Sequence, residues 1–101
     1  MNARQTNVTA SGTFNLELVS RERTLFSEPC DFVVVPTSGG EIGILRGHTP
    51  LISVVSKGRI RVYKSGSLVK DMEVEKGFVE VAQDHVNILI SQKKTQIDKK
   101  A

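Results

Sequence analysis

The sequence predicts an all-β domain, a flattened β-sandwich of about ten short strands, on three observations. Apolar residues recur at every second position in several short stretches, as in Phe14, Leu16 and Leu18 between Asn15 and Glu17, the period of a half-buried strand. Turn-forming residues interrupt these stretches roughly every 8 to 12 residues, the rhythm of a sandwich or small barrel. No stretch carries the 3.6-residue apolar spacing of an amphipathic helix.

Taken in order, residues 1–13 form a polar arm rich in Asn, Thr and Ser, expected to be disordered because so few apolar groups cannot offset the entropy of ordering. The domain proper is expected over residues 14–91. A strand from Phe14 is followed by the charged turn Arg21-Glu22-Arg23. Leu25-Phe26 starts a short second strand expected to stop at Pro29, and Cys30 to Val35 reads as a continuous central strand. Ile52 to Val55 is the next strand, turned at Lys57-Gly58. Arg59 to Lys64 then alternates, with Ile60 and Val62 inward and Arg59, Arg61 and Tyr63 outward. After a hairpin at Ser65-Gly66-Ser67 the return strand places Met72 and Val74 inward and Asp71, Glu73 and Glu75 outward, which sets Arg59 and Arg61 opposite acidic partners. Phe78 to Ala82 and Val86 to Ile90 are the last strands, with Gln83-Asp84-His85 as the turn between them. Residues 92–101 read as a basic tail or the stub of a helix.

Between the strands, Pro36 to Leu51 holds Gly39, Gly40, Gly43 and Gly47 with Ile42, Ile44, Leu45 and Leu51 among them. Aliphatics at that density do not suit a flexible linker. The stretch is expected to be a sharply folded, anchored loop that presents Glu41, Arg46 and His48.

The formal charge is +3, from 14 basic and 11 acidic side chains. Lys93, Lys94, Lys99 and Lys100 against Asp98 account for that excess, so the body is balanced and the basic character belongs to the tail. No apolar run is long enough to span a bilayer, and residues 1–13 lack the apolar core of a secretory signal, so a soluble, cytosol-facing chain is the expectation. Cys30 is the one cysteine and reads as a buried strand residue.

Catalytic and metal chemistry find little to work with. His48 and His85 are the two histidines, neither with an evident nucleophile or third ligand beside it. Gly-Gly-Glu-Ile-Gly matches neither phosphate-loop nor dinucleotide fingerprint, and no helix follows it. Neither a catalytic residue, a cofactor, a metal nor a small-molecule substrate is therefore expected. A basic stripe of Lys57, Arg59, Arg61 and Lys64 beside Tyr63 gives the alternative reading, a small barrel that binds nucleic acid, against which the interleaved acids weigh.

The motif Gly40-Glu41-Ile42-Gly43-Ile44-Leu45, followed at short distance by Gly47-His48-Thr49-Pro50-Leu51 and later by Lys57-Gly58-Arg59-Ile60-Arg61 and Gly77-Phe78-Val79-Glu80-Val81, resembles the epsilon subunit of the rotary proton-translocating ATP synthase, called delta in mitochondria. The resemblance runs from Phe14 to about Ser91. It implies a non-catalytic β-sandwich at the foot of the central stalk that grips the gamma subunit and rests on the ring of c subunits, coupling ring rotation to gamma. By position it implies a c-ring contact at Ser38, Gly39, Gly40, Glu41, Ile42, Gly43, Arg46, Gly47 and His48, and a gamma contact on one sheet face whose residues stay open. The location implied is the cytoplasmic face of a bacterial inner membrane, or the matrix side in a mitochondrion. Family members continue into two C-terminal helices that inhibit hydrolysis and in some bacteria bind ATP. This sequence departs from that pattern, so coupling without autoinhibition is the expectation.

Overall fold

A computed structural model describes residues 12–91; the expected polar arm, apart from Gly12 and Thr13, and the basic tail lie outside the described residues. Nine strands are found there: β1 (Phe14–Ser20), β2 (Thr24–Cys30), β3 (Phe32–Thr37), β4 (Gly40–Leu45), β5 (Leu51–Val55), β6 (Gly58–Lys64), β7 (Ser67–Val74), β8 (Lys76–Val81) and β9 (His85–Ser91). The all-β expectation holds.

One curled sheet folds over on itself. Its strand order is β2-β1-β9-β8-β5-β3-β6-β7, with β4 on the other edge of β3. A five-stranded section, β2-β1-β9-β8-β5, meets a four-stranded section, β4-β3-β6-β7, through the single bridge Thr37↔Val55. All neighbours are antiparallel except β9 with β1.

The two sections share one ribbon. Residues 51–55 and 58–64 pair with 77–81 and 67–74 in a register that continues through the bend, from Leu51↔Val81 and Val55↔Gly77 to Gly58↔Val74 and Arg59↔Glu73. Both of its strands bend between the sections, at Ser56-Lys57 and at Glu75. Ser56 N–H reaches the Pro36 carbonyl (2.9 Å) and Glu75 N–H the Ser91 carbonyl (2.9 Å), so the bends keep their backbone hydrogen bonds. Gly77, just past the second bend, has no room for a side chain: a Cβ there would overlap the Leu89 carbonyl oxygen and stand 2.9 Å from Ile90 Cα. At the ribbon's tip Ser65 and Gly66 both have positive φ (52° and 80°), the pair of angles that defines a type I′ hairpin turn.

Between the sections lies a single core. Phe14, Leu16, Leu18, Val33, Val35, Ile44, Ile60, Val62, Val74, Val79, Val81, Val86, Ile88 and Ile90 are all buried in it, and at roughly 1.5 to 3 kcal/mol per large apolar side chain this burial is the main favourable contribution to folding. The inward positions predicted for β1 and β6 are confirmed; on β7, Val74 is buried and Met72 packs half-buried against the core.

Three expectations are corrected. Pro29 does not stop the second strand, which runs on to Cys30; β2 is an edge strand, where a missing N–H costs no ladder bond. Cys30 therefore closes β2 and the central strand starts at Phe32. His85 begins β9, half-buried, with Nε2–H donating to Asn87 Oδ1 at 3.0 Å, and is not a solvated turn residue.

Candidate functional site

The largest correction falls on the stretch from Pro36 to Leu51, which is not one loop. Gly40 to Leu45 is strand β4, paired along its length with β3 from Thr37↔Gly40 to Phe32↔Leu45. The alternation of Glu41, Gly43 and Leu45 with Ile42 and Ile44 was a strand pattern concealed by its glycines. Gly43 faces outward beneath a ring: a Cβ there would stand 2.8 Å from Phe32 Cε1, and Phe32 in turn lies 5.5 Å from Tyr63, ring centre to ring centre. The glycine serves this close approach and not a bend.

As a result the nine expected contact residues separate. Ser38 and Gly39 form the exposed turn between β3 and β4, and Gly40 opens the strand. Thr37 organises it, its hydroxyl donating to the Gly40 carbonyl (2.6 Å) and accepting from Gly39 N–H (3.2 Å). Glu41 and Gly43 follow on the outer face of β4, and Ile42 packs half-buried against the core. Arg46, Gly47 and His48 lie past the other end of the strand, about 17 Å away at the usual rise per residue. There they belong to the segment that carries the chain from the four-stranded section across to β5.

Glu41 is not a free acidic tip either. Its Oε1 accepts from Arg61 Nη2 at 2.9 Å. Arg61 pairs in register with both Val34 of β3 and Asp71 of β7, yet its guanidinium turns away from Asp71 and over β3 to reach β4. Arg61 stands beside Val34, which is only 8% exposed on this outer face, and its Nε is buried without a hydrogen-bond partner. Arg59 takes Asp71 at 2.8 Å and Glu73 at 3.9 Å, and the Asp71 hydrogen bond raises the pKa of its guanidinium. Lys64, raised likewise by a hydrogen bond to Glu28 (2.8 Å), ties β6 to β2. The cations of the predicted basic stripe other than Lys57 are therefore engaged inside the molecule.

His48 is turned on its own backbone. Its N–H donates to the Leu45 carbonyl (3.1 Å), and its Nδ1 lies 2.7 Å from the Thr49 carbonyl, which can only accept, so Nδ1 carries the proton. Among the described residues no nucleophile or carboxylate bonds to its ring. Among the described residues no group of three His, Cys, Asp or Glu could hold a metal.

A surface that sequence reasoning did not identify lies on the outer face of the five-stranded section. Pairing sets Val54 beside Phe78, Phe78 beside Leu89 and Leu89 beside Val19, an apolar row across four strands, with Ile52 next to it. Phe78 is 58% exposed, Ile52 76% and Val54 53%. The row borders a shallow depression of about 430 Å³. A signal existed in the sequence: Leu51 to Val55 and Ile88 to Ile90 are apolar at both parities, and in a two-layer fold only one parity can face the core.

Comparisons with known proteins agree with this fold. The family model for the delta/epsilon chain β-sandwich domain of ATP synthase matches residues 13–95. The ATP synthase epsilon chain of Rhodospirillum rubrum is 44% identical over 77 residues, 76% of this chain and 58% of that one. That of Desulfitobacterium hafniense is 46% identical over 79 residues, 78% and 59% of the two chains. The chain thus spans a little over half the length of these curated relatives. Two solved structures share the fold: the central stalk and c ring of Tetrahymena thermophila mitochondrial ATP synthase (TM-score 0.68, 13% identity, 77% of this chain and 63% of that one), and the Euglena gracilis mitochondrial ATP synthase (TM-score 0.69, 21% identity, 92% and 64%).

Proposed function

The chain belongs to the ATP synthase delta/epsilon family, whose β-sandwich domain it carries, and from that premise we propose that it is a non-catalytic subunit of the central stalk that couples rotation of the c ring to gamma. One observation carries the reading. The outer face of the five-stranded section exposes Ile52, Val54, Phe78 and Leu89 in one contiguous patch, and patches of this kind mark protein contacts. That face docks gamma. The Ser38-Gly39-Gly40-Glu41 turn region, which joins the five-stranded section at Thr37↔Val55, rests on the c ring; Arg46, Gly47 and His48, at the far end of β4, take no part in that contact.

Coupling on this reading is mechanical. A sandwich with one core and hydrogen-bonded bends transmits torque by contact, with no bond made or broken in the chain. It holds the subunit at the membrane through its partners, as a peripheral part of the complex. The presence of this fold in the Tetrahymena central stalk and c-ring assembly supports the assignment. The nucleic-acid alternative finds Arg59, Arg61 and Lys64 already in ion pairs.

Capture of purified gamma by the immobilised chain tests the docking face. Wild type is expected to bind, and Phe78→Asp to weaken binding at least 30-fold with its melting temperature unchanged. Equal binding by the variant overturns the assignment of this face. For the turn, Glu41→Lys in reconstituted membranes is expected to reduce ATP-driven proton pumping, and full pumping would remove the c-ring contact from it.

A further inference from the structure

Cross-strand register arranges the outer face of the five-stranded section in rows. Beside the apolar row lies a second row in which Ile52 pairs with Glu80, Glu80 with Asn87 and Asn87 with Glu17. On the opposite side of the apolar row Lys76 pairs with Ser91. Glu17, Ile52, Phe78, Glu80 and Leu89 all border the same depression.

The carboxylates of this face differ from those on the outer face of the four-stranded section. Glu41, Asp71 and Glu73 each meet an arginine. Among the described residues neither Glu17 nor Glu80 has an ion-pair partner; Glu17 accepts only the Ser27 hydroxyl at 3.3 Å. A partner covering the apolar row strips water from both, which is unfavourable unless it brings charge of opposite sign.

Resting on the reading that this face docks gamma, we propose that Glu17 and Glu80 select the docked segment, which presents an apolar strip to Val54, Phe78, Leu89 and Val19 and two cationic side chains to the acidic row. Glu80 and Glu17 stand two strand spacings apart, about 10 Å, so the cations must be spaced likewise. A helix meets that spacing with positions i and i+7 on one side of its apolar strip. Lys76, across the row, favours an acidic residue on the opposite flank and so fixes the direction in which the segment lies. Acidic or purely apolar segments are rejected because they leave the two carboxylates uncompensated.

Titration of the full chain with purified gamma, at low and at high salt, tests this. Glu17→Gln/Glu80→Gln is expected to weaken binding about tenfold at low salt and to flatten its salt dependence. Glu17→Lys/Glu80→Lys is expected to weaken it about a hundredfold. Both variants should melt with the wild type, since both side chains face outward. If the glutamine pair binds with wild-type affinity and salt dependence while Phe78→Ser does not, the charge selection is wrong and the docking face stands. If Phe78→Ser and the charge variants all bind like wild type, the docking face falls and the selection falls with it.

Discussion

The two outer faces of this sandwich are built in part from the same ribbon and end in opposite states. On the four-stranded face the ribbon supplies Arg59, Arg61, Asp71 and Glu73, and the charges are settled within the chain, with Glu41 of β4 drawn in across β3. On the five-stranded face the same ribbon supplies Ile52, Val54, Phe78 and Glu80, which have no such settlement. A face whose polar groups are already paired gains little when another protein covers it. A face of exposed apolar side chains with unpaired carboxylates gains from the right partner and loses with the wrong one. The difference teaches that one ribbon can carry a face whose charges are settled within the chain and a face whose apolar and acidic groups are left open to solvent.

The comparison breaks most completely at the joint between the faces. Gly77→Ala pushes a methyl group into the backbone of Leu89 and Ile90, atoms that cannot rotate away, and should cost about 3 kcal/mol or more in urea unfolding. A cost under about 1 kcal/mol would mean that the ribbon bends by another route.

The interior beneath both faces should respond to alkali. Burial pushes the Cys30 thiol from 9.0 up to about 11, against a smaller lowering by the Phe32 N–H. The unfolded chain then ionises first, so this stability is whole below pH 9 and is lost as pH rises through about 11, on the order of 2 to 3 kcal/mol. Cys30→Ala should abolish that alkaline slope, as followed by denaturant midpoints across pH.

Two aromatic truncations separate the faces directly. Phe32→Ala removes the ring that lies over Gly43 and beside Tyr63, and should cost about 2 kcal/mol. Phe78→Ala should change stability by less than about 0.5 kcal/mol while weakening gamma capture, because its ring is exposed in the free domain. Equal losses of stability in the two variants would erase the distinction.

The smallest effect lies within the charged face. Arg61→Ala should cost about 1 kcal/mol, through the packing of a side chain only 32% exposed as well as the Glu41 pair, and most of that cost should survive high salt. Arg59→Ala, whose side chain is 51% exposed, should stay within about 0.5 kcal/mol and lose its effect in salt.

Much of this architecture is legible in the residues alone. The alternation in Phe14 to Leu18 and in Arg59 to Val62, and the Ser-Gly tip of the ribbon, are local signals, and each became the expected strand or turn. Strand β4 was obscured because Gly40 and Gly43 read as loop residues until Phe32, eleven positions upstream of Gly43, is known to lie on top of it. Pro29 read as a terminator because a sequence does not say which strand is at an edge. The expected contact loop came apart for the same reason: Ser38 and His48 are near in sequence and at opposite ends of a strand in space.

By itself the sequence determined the class of fold, the strands and most of their inward faces, because period-two alternation and turn chemistry act over a few neighbouring residues. Only the tertiary structure decided that Arg61 turns to Glu41, that Val54, Phe78, Leu89 and Val19 form one row, and that Glu17 and Glu80 stand beside it unpaired. Those facts depend on register between strands distant in the chain, and register is set by the packing of the whole core.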